Sequence, residues 1–279
     1  MTDLAGIDGL AAVAGDYDAI FCDVWGVVHD GEKKSASAEA ALAAARQVGC
    51  KVILLTNSPR PAEGVARQLD TLGVTRAAYD GIVTSGDVTR ALIAKAGRKL
   101  FHLGPARDVD LFAGLDITLV PADEAEAVVC TGLVNDEVET PEDYSGMLAQ
   151  FKARSLPMIC ANPDVVVHRG DRIIFCAGAL ARDYAAFGGE VRMAGKPYRP
   201  IYEEACLMAE LGPDEKVLAI GDGLNTDIRG ANGFGLDALL IVGGIHGAEL
   251  DDAGGEAKPL EALLAAQDLK ARYFMPALA

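Results

Sequence analysis

The chain is punctuated by short runs that are apolar at nearly every position, and these constrain its fold more than any other feature. AIFCDVW (19–25), KVILLTN (51–57), KVLAIGD (216–222) and DALLIVGG (237–244) are the clearest. A strand with one wet face alternates apolar and polar residues, so runs apolar at both parities suit strands buried on both faces. Helix-like stretches separate them: residues 36–48 with Gly49 as a stop, 61–72, about 200–211 after VRMAG (191–195), and 226–232. Strand–helix alternation of this kind predicts an α/β fold with a parallel sheet.

The middle of the chain is less regular. It holds KLFHLG, DITLV, EAVVCTGL and PMICANPD. VVVHRG and DRIIFCAG then read as two strands meeting at the turn Arg169-Gly170-Asp171. We read residues 80–189 as a second α/β unit inserted into a first one made of 1–79 and 190–279, a division that suits 279 residues.

A formal net charge of −16 disfavours nucleic acid polymers and anionic membranes as partners. The six cysteines are scattered without a close pair, and His29, His102, His168 and His246 are equally dispersed, so neither a disulfide framework nor a zinc site is indicated. The first residues lack a basic segment ahead of their apolar stretch, and no apolar run approaches the roughly 20 residues needed to span a bilayer. The expected location is cytoplasmic.

Four strand ends carry chemistry. Asp23 closes the first run, where a carboxylate needs a metal, backbone N–H groups or a turn to cap. Thr56, Asn57 and Ser58 close the second; their hydroxyl and N–H groups suit phosphate oxygens, and Ser58 equally suits a helix cap. Lys196 follows VRMAG directly and would neutralise a phosphate and a carboxylate together; an ordinary exposed lysine is the alternative. Asp222 closes KVLAIGD, and Asp227 follows in the next helix. Two acids there suit a hard cation that keeps open positions for water and phosphate, which points to Mg²⁺. A helix cap and a surface charge are the plainer alternative.

Asp23, Thr56-Asn57-Ser58, Lys196 and the Asp222/Asp227 pair, in that order, resemble the haloacid dehalogenase (HAD) superfamily. The long insertion between ILLTNS and AGKP, with its segment CANPDVVVHRGDRIIFCAGAL, further resembles the class IIA branch of nitrophenyl, sugar-phosphate and nucleotide phosphatases. That resemblance implies a Rossmann-like core domain with an inserted α/β cap domain. It implies a Mg²⁺-dependent hydrolase that takes a phosphoryl group from a small phosphorylated metabolite onto Asp23 as an aspartyl phosphate. Mg²⁺ would be held by Asp23, the backbone carbonyl of Trp25 and Asp222, with Asp227 orienting Lys196 or a water on the metal. Thr56 and the Asn57 amide would hold the phosphoryl group, and Lys196 would offset its charge. A homodimer is a further expectation.

One position departs from the pattern. Phosphatases of this family usually carry a second aspartate two residues after the nucleophile; here that residue is Trp25. An indole offers only an N–H donor. Two rival expectations follow: a phosphate-binding or regulatory protein with weakened turnover, and a metal-independent 2-haloacid dehalogenase. The intact Asp222 argues for metal and phosphate.

Overall fold

The computed structural model describes residues 4–169, 172–243 and 257–279. Gly170, Asp171, Gly244 and His246 lie outside the described residues. The chain forms two compact units, Met1–Thr56 with Ala66–Val83 and Lys196–Ala279, and Asn57–Val65 with Thr84–Gly195.

The first unit is built on a seven-stranded sheet. Its strands are β1 (Ala5–Gly6), β2 (Ala19–Asp23), β3 (Lys51–Thr56), β4 (Gly81–Thr84), β12 (Val217–Gly221), β13 (Asp237–Ile241) and β14 (Tyr273–Met275), in spatial order β1-β14-β13-β12-β2-β3-β4. The β1–β14, β14–β13, β13–β12, β12–β2 and β2–β3 pairings are all parallel. Every residue of β2 and β12 is buried, as the unbroken apolar runs require. The helices include α1 (Ala36–Gln47), the greater part of α2 (Ala62–Leu72), α6 (Arg199–Met208), α7 (Arg229–Phe234) and α8 (Ala257–Ala266). Leu260 and Leu264 of α8, with Ile228 and Ala231, pack against Ala219, Ala238 and Leu240 of the sheet.

The chain leaves β2 toward β3 and β4 on one side and returns on the other at β12, so its direction of travel reverses beside β2. Loops diverge at such a point and leave a crevice at the carboxyl ends of the strands, where open α/β sheets bind ligands. Asp23 ends β2 and Asp222 directly follows β12 at this crevice.

The second unit has a parallel five-stranded sheet in the order β11-β8-β7-β5-β6, formed by β5 (Lys99–Leu103), β6 (Thr118–Leu119), β7 (Ala127–Cys130), β8 (Met158–Cys160) and β11 (Val191–Met193). Helices α3 (Ser85–Ile93), α4 (Ser145–Ala153) and α5 (Ala177–Ala186) accompany it. Tyr144, Leu148, Phe151, Leu180 and Tyr184 form one apolar cluster with Val128, Met158 and Cys160, and Ile93, Leu111 and Phe112 form another with Val129 and Ile159. The expected hairpin is present as β9 (Val166–Arg169) antiparallel to β10 (Arg172–Phe175). The run at 191–195 differs from expectation. It does not return the chain to the first sheet but pairs with β8 in the second. The chain re-enters the first unit at Lys196.

Candidate active site

Asp23, Lys196, Asp222 and Asp227 converge, although the sequence separates the first from the others by more than half the chain. All four are buried, with exposures of 8%, 3%, 4% and 5%. Lys196 Nζ donates to Asp23 Oδ1 at 2.5 Å, to Asp227 Oδ1 at 2.7 Å and to the carbonyl of Leu55 at 3.3 Å. Three acceptors therefore satisfy the three donors of one buried ammonium. Oδ2 of Asp227 accepts from the amide of Gly223 at 3.0 Å, which fixes the carboxylate from its other side. Asp227 sits in a π-helical turn, Leu224–Ile228, that precedes α7. The helix expected from 226 thus begins with a wider turn, and that turn aims Asp227 back toward β12.

The charges do not cancel. Carboxylate oxygens of Asp23, Asp222 and Asp227 lie within 4.8 Å of one another, and Lys196 places a single ammonium between Asp23 and Asp227. Burial pushes the Asp23 carboxyl well above the usual range, and Asp227 and Asp222 push it further against the opposing pull of Lys196. For Lys196, burial works against the charge, but Asp227 and Asp23 outweigh it and hold the ammonium's pKa well above its ordinary value. Three clustered carboxylates facing one cation favour a second cation, and an all-oxygen donor set suits Mg²⁺ or Ca²⁺.

Sequence reasoning missed the part played by Gly26. Its φ is +90°, and a Cβ placed on it would sit 2.3 Å from Asp222 Oδ2. Only glycine meets both demands, a left-handed backbone and a carboxylate pressed against the α-carbon. The available signal was the glycine three residues beyond a strand-end aspartate.

Thr56 ends β3 beside β2, where Asp23 pairs in register with Leu55, and it is buried. Asn57, the next residue, falls in the second unit. Its side-chain amide donates to Asp164 Oδ1 at 2.8 Å, so the Asn-Pro-Asp segment is anchored there. Gly178, in the first turn of α5, donates its N–H to the carbonyl of Asp164.

Trp25 packs onto its own loop. Its ring meets His29 edge-on at a centroid distance of 5.1 Å, and Gly31, with φ +97°, lies so close that a Cβ would stand 2.7 Å from the indole. His29 is buried, its pKa is lowered by that burial, and its Nδ1 accepts the N–H of Gly31 at 2.9 Å. Neutral His29 therefore carries its proton on Nε2. Asp30 accepts from the amides of Glu32 and Lys33 and closes the turn.

The haloacid dehalogenase-like hydrolase model matches residues 20–118, and a second HAD-hydrolase-like model matches residues 193–269. A haloacid dehalogenase-like hydrolase from Brucella suis 1330 is 50% identical in sequence; the match covers 98% of this chain and 100% of that one, with a TM-score of 0.87. The D-glycerol 3-phosphate phosphatase of Mycobacterium tuberculosis is 27% identical over 245 residues, 86% of this chain and 67% of that protein. Its magnesium complex aligns with a TM-score of 0.65 at 26% identity over 84% of this chain and 70% of that one. The ribonucleotide monophosphatase NagD of Escherichia coli is 27% identical over 241 residues, 84% of this chain and 90% of that protein. With its strand-end acids and lysine gathered at the reversal of a parallel sheet, the chain belongs to the haloacid dehalogenase-like hydrolases, in the class IIA branch.

Proposed function

We propose that the protein is a Mg²⁺-dependent phosphoric monoester hydrolase acting on a small phosphorylated metabolite, with Asp23 as its nucleophile. The observation that carries this reading is the buried convergence of Asp23, Asp222 and Asp227 around Lys196. Kinship with phosphatases acting on glycerol phosphate and ribonucleotides supports the substrate class.

Asp23, Asp222 and the carbonyl of Trp25 would hold Mg²⁺, which when bound supplies positive charge against the phosphoryl oxygens. Asp23 attacks phosphorus; the bond from phosphorus to the ester oxygen breaks, and the leaving oxygen departs with its electron pair and takes a proton from solvent. Water then attacks the aspartyl phosphate, the bond to the Asp23 oxygen breaks, and inorganic phosphate leaves. Lys196, already pointed at Asp23, offsets charge as it gathers on the phosphoryl oxygens. Thr56 and the amide of Asn57 steady that group, and Asp227 positions Lys196. Covalent capture divides one difficult displacement into two easier ones.

The test is hydrolysis of p-nitrophenyl phosphate. Turnover should require Mg²⁺, stop in EDTA and disappear in Asp23→Asn. Failure to hydrolyse any member of a broad phosphomonoester panel would overturn the proposal. Trp25 motivates a second reading, a phosphate-binding protein without efficient turnover. That reading predicts stabilisation by Mg²⁺ and phosphate ligands with no product released. An activity on 2-haloacids that survives EDTA would instead favour the dehalogenase alternative.

A further inference from the structure

The loop that begins at Gly26 borders a second concavity. Residues 26–35 form one wall of an open cleft of about 160 Å³, and the end of β13 with residues 276–278 forms the other. Asp23, Thr56, Lys196, Asp222 and Asp227 do not line it. Its apolar surface comes from Val27, Ile241 and Leu278, and its polar groups include His29, Asp30 and Lys33.

His29 is the informative residue. It is only 3% exposed, its Nδ1 is occupied by the Gly31 amide, and its Nε2–H has no hydrogen-bond partner among the described residues. That nitrogen is nonetheless not among the fully buried unsatisfied atoms, which are the hydroxyl oxygens of Tyr79, Ser85 and Tyr202. A ring this deeply packed that lines the cleft and keeps one donor unpartnered but not fully buried is a preset hydrogen-bond donor. Buried polar groups normally have partners, so an acceptor supplied from the cleft would complete it. Lys33 is exposed and its ammonium makes no hydrogen bond or salt bridge among the described residues, so it can reach over the opening.

The remaining charges narrow the ligand. Asp30 stands on the same wall as an ionised carboxylate held low by the Lys33 and Glu32 amides, and it opposes a dianion about twice as strongly as a monoanion. Lys34 is already committed to Glu39 and to the carbonyl of Gly73. One neutral donor, one reaching cation and an apolar floor match a monoanion with a short hydrocarbon body. We infer that this cleft is a binding site for a short-chain carboxylate, whose oxygens meet His29 Nε2–H and Lys33 while its chain lies on Val27, Ile241 and Leu278. The inference does not depend on the phosphatase reading.

The sequence contains a single tryptophan, Trp25, and its ring touches His29. Its fluorescence therefore reports on the cleft. The experiment titrates the full chain with acetate, butyrate and hexanoate, with inorganic phosphate and butylamine as controls. Butyrate and hexanoate should give a saturable change in Trp25 emission with a dissociation constant on the order of 1 mM, tighter than acetate. Phosphate and butylamine should not reproduce it. Lys33→Glu, a surface change that leaves the fold intact, should weaken butyrate at least several-fold, and Asp23→Asn should leave its binding in place. No saturable change, equal affinity in Lys33→Glu, or loss of binding in Asp23→Asn would each overturn the assignment, the last by moving the ligand to the catalytic crevice.

Discussion

The α-carbon of Gly26 lies against the carboxylate of Asp222, so close that a methyl group there would come within 2.3 Å of Oδ2. The residue after Trp25 thus fixes how near the motif loop comes to the strand-end acid. Gly26→Ala should displace Asp222 and strain the backbone at φ +90°, costing about 1–2 kcal/mol of stability. Its p-nitrophenyl phosphatase activity should fall by more than that stability loss explains, with a raised Mg²⁺ requirement. Circular dichroism and Mg²⁺-dependent kinetics on the same preparation check both parts.

Three carboxylates around one ammonium make the metal a stabilising ligand. Saturating Mg²⁺, at about 100 times its dissociation constant, should add roughly 2.7 kcal/mol. Asp222→Asn should lose most of that increment while remaining folded. Thermal melts with Mg²⁺ and with EDTA, for both proteins, measure the difference.

His29 and His102 both have pKa values lowered by burial. The unfolded chain therefore takes up protons first as pH falls below about 6.5. The stability these neutral rings contribute is fully present above that pH and is lost as pH falls toward their lower folded values. His29→Asn keeps an acceptor for the Gly31 amide, and His102→Gln keeps a partner for Thr131 Oγ1, which lies 2.9 Å from His102 Nε2. Compared with wild type, the double variant should show a shallower loss of stability between pH 7 and pH 5.5 in denaturant titrations.

Trp25→Asp would supply a carboxyl group two residues beyond Asp23, the proposed nucleophile. General acid–base assistance is worth about 10²–10⁴-fold, so turnover of an alkyl phosphate should rise while that of p-nitrophenyl phosphate, whose leaving group needs little help, changes less. Parallel steady-state kinetics on the two substrates test this. Equal gains on both would show that the indole had limited access rather than proton transfer.

The core strands were legible because their residues are apolar at both parities, and the acids and lysine at their ends stood out as charges with no packing role. Their order along the chain carried the family resemblance, and that resemblance implied a shared site for Asp23, Lys196, Asp222 and Asp227. Pairing partners were not legible. Val191–Met193, two apolar residues around Arg192, is too short to choose a sheet, and only the position of β8 decides. Ala5–Gly6 is too short to carry any periodicity and is a strand only because β14 lies beside it. The close approach of Gly26 to Asp222 and the packing of Trp25 on Gly31 join residues through space at distances that no local pattern encodes.

The ammonium that balances Asp23 arrives 173 residues later in the chain, and Asp222 and Asp227 arrive later still. During synthesis, β2 and β3 can emerge and pair long before any of these partners exists. An N-terminal fragment thus carries Asp23 without Lys196, without Asp222 and Asp227, and without β12, the strand that flanks it on the other side. The cluster around Asp23 is thus incomplete in every fragment that ends before Asp227, and it forms only once β12 has joined the sheet beside β2.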